Sequence, residues 1–371
     1  MPEPDAGKAD SGLHVVGFPR EGLTEMFLSA PARRGRPLAE VSRRLRAWLR
    51  KRPGAEVLRE SVFGTTLGPE KPPAGRAGQP AWPVTQLADS GGNGKPAAGV
   101  HMHAVRGAKV SPLRAGGRVV GTVFEDSHAR YCALGDLRPD EARLPAVEQA
   151  RVTFEMMEAT LRLAGMDFSH VVRTWLYLDR ILEWYDEFNA VRTRFYKERG
   201  VFERLVPAST GIGAPNAAGT ALVAELLAIQ PKDPRVRIMS IPSPLQCPAP
   251  KYGSSFSRAV EVAMPDHRRL LVSGTASIDP QGRTAHAGDV EAQTDLTMRV
   301  IHAILESRGM GWSDVCRAVA YVKRAKDAPV LGRYCAAHGI APLPLVVTKA
   351  EICREDLLFE VEVDALRVVN G

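Results

Sequence analysis

Ala164-Gly-Met-Asp-Phe-Ser-His-Val-Val-Arg-Thr-Trp175 returns 144 positions later as Arg308-Gly-Met-Gly-Trp-Ser-Asp-Val-Cys-Arg-Ala-Val319, with Gly, Met, Ser, Val and Arg identical. An internal match of this length points to a duplicated structural unit. Each copy follows an amphipathic helical pattern, at about 145–163 and 290–307, and runs into a β-rich stretch, Val171–Leu178 and Val315–Val322. Upstream, Tyr131-Cys-Ala-Leu-Gly135 aligns with Leu270-Leu-Val-Ser-Gly274 as a buried strand ending in glycine. Downstream, each copy has a second helix, at 184–199 and about 327–337, and a final strand, Ala221–Ile229 and Leu357–Ala365. The order β–α–β–α–β therefore occurs twice. The runs are too short for a Rossmann unit and lack G-x-G-x-x-G, so the fold class is α+β, with two tandem sandwich units.

The chain has 371 residues, 44% hydrophobic and 25% charged, with Gly 33 and Pro 28. That length suits two or three domains and an ample core, and the composition excludes a disordered, fibrous or collagenous chain. No apolar run approaches the ~18 residues a membrane span needs, and the start lacks the layout of a signal peptide, so the cytoplasm is the expected location. The five cysteines are scattered and never spaced C-x-x-C, which signals neither disulfides nor a structural zinc site. The net charge of +7 is concentrated in residues 1–52, which hold 11 basic and 6 acidic residues against 38 and 36 in the rest. With aromatic content of only 6%, no nucleic-acid surface is indicated.

Within the first 120 residues, 1–12 are polar, and 37–52 read as a helix with Leu38, Val41, Leu45, Trp48 and Leu49 on one face, stopped by Pro53-Gly54. We read that helix as scaffold packed on its own domain rather than as a membrane-surface element. Residues 69–80 and Ser90–Pro96 are Pro/Gly-rich loops. The expected domains are an N-terminal extension over 1–120, with a degenerate third unit as one reading, then units over 121–233 and 234–371.

Seven segments carry a resemblance: Trp82-Pro-Val-Thr, Ala98-Gly-Val-His-Met-His-Ala-Val, Val172-Arg-Thr-Trp-Leu-Tyr-Leu, Trp184-Tyr-Asp-Glu-Phe-Asn-Ala-Val-Arg192, Pro207-Ala-Ser-Thr-Gly-Ile-Gly, Ser273-Gly-Thr-Ala-Ser and Cys353-Arg-Glu-Asp-Leu-Leu-Phe-Glu-Val-Glu362. The unit resembles the RidA/YjgF fold of enamine and imine deaminases, and two units with an N-terminal extension look like the chorismatases, over roughly Trp82 to Leu366. The resemblance implies cofactor-free, metal-free cleavage of the enolpyruvyl ether of chorismate. The products would be pyruvate and either 3-hydroxybenzoate, the reading adopted, or a dihydroxycyclohexadiene carboxylate. A RidA-like imine deaminase and a non-catalytic binder of aromatic acids are the rivals. Against the deaminase, the carboxylate-binding arginine of that family is replaced by Ser209 in the first copy and falls near Leu345 in the second. A buried carboxylate without a charged partner is costly.

Glu360, Glu362 and Asp364 alternate onto one face of the last strand. Glu360 aligns with Ala224 in the first copy, so the fold does not require the acid, and with the resemblance this makes Glu360 the expected general acid. Chorismate carries two carboxylates, which bidentate arginine suits best. The first-copy candidates are Arg192, Arg194, Arg173 and Arg130. Arg192, with no second-copy counterpart, is favoured, while Arg173, matched by Arg317, is open between a shared structural role and a substrate role. Tyr177 and Tyr185 are candidates for hydrogen bonds to substrate. Ser209-Thr210-Gly211 is read as an anion-binding nest. Ala276 and Cys353 resemble positions at which chorismatase subtypes differ, and Cys353 points to the aromatising subtype. His101 and His103 share one strand face, but no third ligand accompanies them, so they are read as core or pocket-rim histidines. A monomer would suffice if the N-terminal segment completes a trimer-like set of units.

Overall fold

The computed structural model describes residues 12–32, 38–65, 80–88 and 98–369. The Pro/Gly-rich stretches expected at 69–80 and 90–96 and the polar start lie outside the described residues, except for Pro80 and Gly12. Three sheets follow one another along the chain. The first contains β1 (His14–Arg20), β2 (Leu23–Pro31), β3 (Ala55–Thr65), β4 (Val84–Ala88) and β5 (Gly99–Arg106), with α1 (Leu38–Arg50) between β2 and β3; its strand order is β1-β2-β5-β3-β4.

The middle sheet holds β6 (Ser111–Ala115), β7 (Arg118–Glu125), β8 (Ala129–Leu137), β9 (Val171–Leu178), β10 (Ala208–Gly213) and β11 (Leu222–Pro231), with helices α2 (Ala146–Leu163) and α3 (Ile181–Glu198). The last sheet holds β12 (Arg237–Ile241), β13 (Ala259–Ala263), β14 (His267–Ala276), β15 (Val315–Val322), β16 (Leu345–Lys349) and β17 (Phe359–Val368), with α4 (Val290–Ser307) and α5 (Val330–Ala337). The orders β6-β7-β8-β11-β9-β10 and β12-β13-β14-β17-β15-β16 coincide element for element, and the first sheet repeats the last five places of that order. In all three sheets the outermost pair (β3·β4, β9·β10, β15·β16) is the parallel one.

The expected boundary at residue 120 falls inside β7, because the β6–β7 hairpin turns through Gly116 and Gly117, both at positive φ, and adds to β8. The sheets instead separate between Arg106 and Ser111. The boundary at 233/234 lies in the connection from β11 to β12.

Each sheet has two differently covered faces. One packs under its own helices: Phe154, Met157 and Leu161 of α2 with Leu176 and Ala224 in the middle unit, Met298, Ile301 and Leu305 of α4 in the last, and Val41, Leu45 and Leu49 of α1 in the first. The other faces meet in a common core that takes Phe63 and Val105 from the first sheet, Trp175, Tyr177 and Val223 from the middle and Val319 and Tyr321 from the last. The strands are thus buried on both sides, which accounts for their near-continuous apolar runs.

Pairing registers fix the correspondence between units. Tyr177 faces Val223 and Trp175 faces Glu225, while Tyr321 faces Glu360 and Val319 faces Glu362. The counterpart of Glu360 is therefore Val223 and not Ala224. A one-residue slip sends a side chain to the opposite face, and Ala224 lies under the helices whereas Val223 lies in the common core. The β-bulges, between Ala224 and Leu226 against β8 and between Val272 and Thr275 against β17, match between the units, and they make Asp136, not Gly135, the counterpart of Gly274, so a count from the two glycines is one residue out. The absence of an acid at the counterpart holds after the correction.

Candidate active site

A cavity of about 720 Å³ opens between the middle and last units. One wall comes from α3 and β10, with Tyr185, Asn189, Arg192, Arg194, Lys197, Ser209 and Gly211; the other comes from β14, β17 and the connections around them, with Tyr252, Arg258, Gly274, Ala276, Cys353, Arg354 and Glu360. Of the sequence candidates, Glu360, Cys353, Arg192, Arg194, Tyr185, Ser209, Gly211 and Ala276 all line it.

Glu360 sits opposite Ala276 of β14 and Tyr321 of β15 in the centre of its sheet, not on a solvated edge. Its carboxyl presses on Gly274, where a Cβ would collide with Oε1, so this position admits only glycine while Glu360 keeps its place. Burial, reinforced by the neighbouring Glu362 charge, pushes Glu360 up to about 8 against the opposing pull of Arg173 and Arg258. The carboxyl is consequently protonated at neutral pH. Glu362 responds in the opposite sense. Although burial works to raise it, Arg317, Arg173 and the Thr210 hydroxyl hold it below the usual carboxylate range.

Arg192 is buried in the wall, donates from Nη2 to Asn189 Oδ1 at 2.6 Å and lies over the Phe188 ring. Its Nε has no hydrogen-bond partner among the described residues. Arg258, which the sequence reading missed, is buried, donates from Nε and Nη2 to Cys247 O at 3.0 and 2.9 Å, and is flanked by the rings of Tyr252 and Phe256. It belongs to the long connection between β12 and β13, which has no counterpart in the middle unit, where β6 and β7 are joined by a tight hairpin. Only its aromatic flanks hinted at it. Arg354 donates to Gly282 O at 2.9 Å. Five cationic side chains, Arg192, Arg194, Lys197, Arg258 and Arg354, thus face the cavity against Asp186 and Glu198, with Glu360 neutral.

Cys353 and Tyr185 form the remaining polar wall. Burial, together with the nearby Glu360, pushes the Cys353 thiol up to about 12, so it stays protonated. Tyr185 is raised by burial and by the nearby Cys353. Gly211 faces the Tyr185 ring, where a Cβ would stand at an ordinary contact distance of 3.7 Å from the hydroxyl.

Four candidates, Arg173, Tyr177, Thr210 and Arg130, lie elsewhere. Arg173 is fully buried and donates from Nη2 to Thr210 Oγ1 at 2.7 Å and Glu362 Oε2 at 2.9 Å. Tyr177 is fully buried in the common core. Thr210 sits behind the wall, its hydroxyl accepting from Gly274 N at 3.0 Å and bonding Glu362. The expected nest over Ser209-Thr210-Gly211 is also corrected. The segment is strand β10, and its amides do not converge: Ser209 N donates to Ser273 Oγ and Gly213 N to Glu351 O. Arg130 pairs with Glu125 on β8, away from the cavity. His101 and His103 are core residues, bonded to Ser29 and Ala318 O and to Glu25. Among the described residues no cluster of His, Cys, Asp or Glu is arranged to hold a metal, and no helix is long and apolar enough to cross a membrane.

Residues 248–367 match the Endoribonuclease L-PSP family, which includes the RidA proteins. A chorismatase of Streptomyces hygroscopicus is 32% identical over 223 residues, covering 53% of this chain and 62% of that protein. A 3-hydroxybenzoate synthase of the same organism is 28% identical over 269 residues, covering 65% of this chain and 75% of the relative. The matched stretch thus spans less than two thirds of the first of these. A crystal structure of a chorismatase superposes with a TM-score of 0.62 at 21% identity, over 91% of this chain and 98% of that one. The fold is shared along nearly the whole molecule, and the resemblance read from the sequence is met by curated relatives, a family model and a solved structure.

Proposed function

We propose that the chain cleaves the enolpyruvyl ether of chorismate, releasing pyruvate and 3-hydroxybenzoate. The observation that carries this reading is a protonated carboxyl, Glu360, in the wall of a cavity whose other charges are mainly cationic. A dianionic substrate needs the cations, and a vinyl ether needs an acid able to protonate carbon. The curated relatives are named for this chemistry.

Glu360 gives its proton to the terminal methylene of the side chain, which leaves an oxocarbenium ion at the ether carbon and a carboxylate on Glu360. Arg192 and Arg258 each take a substrate carboxylate, with Arg194 and Arg354 supplying further positive potential. Tyr185 offers a hydroxyl at the same wall. Attack on the cation by the neighbouring ring hydroxyl, loss of pyruvate and aromatisation give the hydroxybenzoate without net water. Attack by water gives the diene diol instead. Ala276 and Cys353 line the pocket beside Glu360, which supports the aromatising subtype. Because the thiol is held protonated, its contribution is to fill space and keep water out, not to act as a base.

The deaminase reading is weaker, since the Ser209 hydroxyl accepts from Thr174 Oγ1 at 2.8 Å and carries no charge. We read the chain as three units, over 12–106, 107–233 and 234–369, that supply their own trimer-like partners, and the working assembly as a monomer. Five unpaired thiols support a reducing compartment such as the cytoplasm. The decisive experiment is incubation with chorismate, following pyruvate by a coupled assay and the ring product by chromatography. Pyruvate with 3-hydroxybenzoate is expected; no pyruvate would leave the non-catalytic binder standing.

A further inference from the structure

Where the three sheets meet, each contributes an arginine from the same place: Arg59 from Val57-Leu-Arg59, Arg173 from Val171-Val-Arg173 and Arg317 from Val315-Cys-Arg317. The last strand of a neighbouring unit supplies the acid. Arg59 Nη1 is 3.1 Å from Glu225 Oε2, and Arg173 Nη2 is 2.9 Å from Glu362 Oε2. The register places His101 of the first sheet where the other two sheets have Glu225 and Glu362. The third pair is broken, because His101 is a neutral imidazole whose two nitrogens are spent on Ser29 Oγ at 2.8 Å and Ala318 O at 2.9 Å. Arg317 turns onto Glu362 Oε1 at 2.7 Å, which already serves Arg173, and stands 3.6 Å from Asp364 Oδ2.

A void of about 20 Å³ lies at this broken position, lined on its polar side by Arg59, Ser61, His101, Arg269, Arg317 and Asp364. That is slightly more than the roughly 10–15 Å³ that admits one water. Arg59 Nη1 and Arg317 Nη1 stand in ion pairs with Glu225 Oε2 and Glu362 Oε1, and the polar atoms around the void left without a hydrogen-bond partner, among the described residues, are then the donors Arg269 Nε and Arg317 Nε and Nη2 against the acceptor Asp364 Oδ1. These arginines are buried, and unmet buried charged donors are expensive. A ligand that only accepts answers them better than water, which must also donate.

We infer that this void binds a single small monoatomic anion, chloride under ordinary conditions, standing in for the carboxylate that the first unit lacks. The site is separate from the cavity around Glu360. It ties Arg317 and Arg59 together across the junction of all three units, so its occupancy stabilises the assembly of the sheets and not one sheet alone.

The test uses the whole protein. Crystals soaked in sodium bromide should give an anomalous peak among Arg59, Arg269 and Arg317. In solution, Tm should rise with chloride concentration beyond the rise in sodium isethionate of equal ionic strength, because an ion that binds only the folded state stabilises by mass action. His101→Glu, which restores the missing carboxylate, should abolish the chloride-specific part, while His101→Gln should retain it. A bromide soak without a peak there means a water only and overturns the inference, as does an equal response of Tm to both salts. Should His101→Glu fail to fold, the bromide soak and the wild-type salt comparison still decide the matter.

Discussion

Glu360 and Glu362 lie two residues apart on the same face of β17, yet one looks into the open cavity between the middle and last units and the other into the closed junction of the three sheets. Their surroundings drive them apart: burial and a like charge keep Glu360 protonated, while two arginines and a hydroxyl keep Glu362 ionised. The counterparts in the other units sort the two roles. Glu362 is matched by Glu225, which pairs with Arg59, whereas Glu360 is matched by Val223 and, in the first sheet, by Gly99. An acid recurs at the junction, where buried arginines pair with it, and occurs once at the cavity, as the proposed ether cleavage with a single general acid requires.

The largest expected effect breaks this comparison at the cavity. Glu360→Gln keeps the shape and removes the titrating proton, so pyruvate release should fall by about 10²–10⁴. Activity within a few-fold of wild type would remove Glu360 from the mechanism. At the junction the same change has the opposite signature. Glu362→Gln leaves Arg173 and Arg317 without their shared carboxylate, and loss of one partner of a buried ion pair costs about 3–5 kcal/mol of stability. Denaturant unfolding of the two variants should show a large loss for Glu362→Gln and none for Glu360→Gln.

A smaller effect is expected from Arg192→Ala, which should weaken chorismate binding by roughly 1.5–3 kcal/mol, the range for a hydrogen bond to a charged group. Calorimetric titration would expose the idea as wrong if affinity stayed at the wild-type value with the fold intact by circular dichroism.

The titration of Glu360 sharpens the comparison further. Its folded value is raised from the ordinary 4.5 to about 8, so the stability it contributes is fully present below 4.5 and is lost as pH rises through about 8. Relative to Glu360→Gln, the wild-type protein should therefore lose Tm progressively between pH 4.5 and 8 and level off above. The catalytic rate should also fall as pH rises through about 8, since the acid is then deprotonated. Parallel melting curves for the two proteins would contradict the raised value.

Much of the fold was legible because the repeat carries its own punctuation. Val171–Leu178 and Val315–Val322 were read to the residue, since the Gly-Met turn before them and the unbroken apolar run mark both ends. The N-terminal unit was harder, although Val57-Leu-Arg59 repeats the Val-x-Arg of the other two, because three residues are too short a match to stand out and the buried acid of the other units is a histidine there. The counterpart of Glu360 is Val223 and not Ala224 because the strand-ending glycines Gly135 and Gly274, which look equivalent in the sequence, sit one residue out of register with each other. At the site, Glu360, Arg192, Tyr185, Ala276 and Cys353 were reachable through chemistry and resemblance together. Arg173, open in the sequence between a structural and a substrate role, and Tyr177, a substrate candidate, both lie away from the cavity, because alternation along a strand does not say whether the inward face meets a cavity or another sheet. Arg258 lay in a connection without periodicity.

The smallest and most specific prediction concerns Cys353. In the oxocarbenium state two nucleophiles compete, water and the substrate's own ring hydroxyl. A well-placed internal group enjoys an effective molarity of about 10⁵–10⁸ M, so it wins wherever the wall holds it against the cation and excludes water. Cys353 shares the wall with Ala276, Glu360 and Tyr185, and its thiol, pushed up to about 12, is a neutral and soft space-filler at the pH of the reaction. Cys353→Ala removes the sulfur and opens room for water beside the cation while leaving the Glu360 proton in place. Pyruvate release should continue at a similar rate, and the ring product should shift from 3-hydroxybenzoate toward the diene diol. Cys353→Ser, which keeps the volume closer but attracts water, should fall between the two. An unchanged product ratio in both variants would take Cys353 out of product control, and diol as the sole product of the wild-type protein would overturn the aromatising assignment while leaving ether cleavage by Glu360 intact.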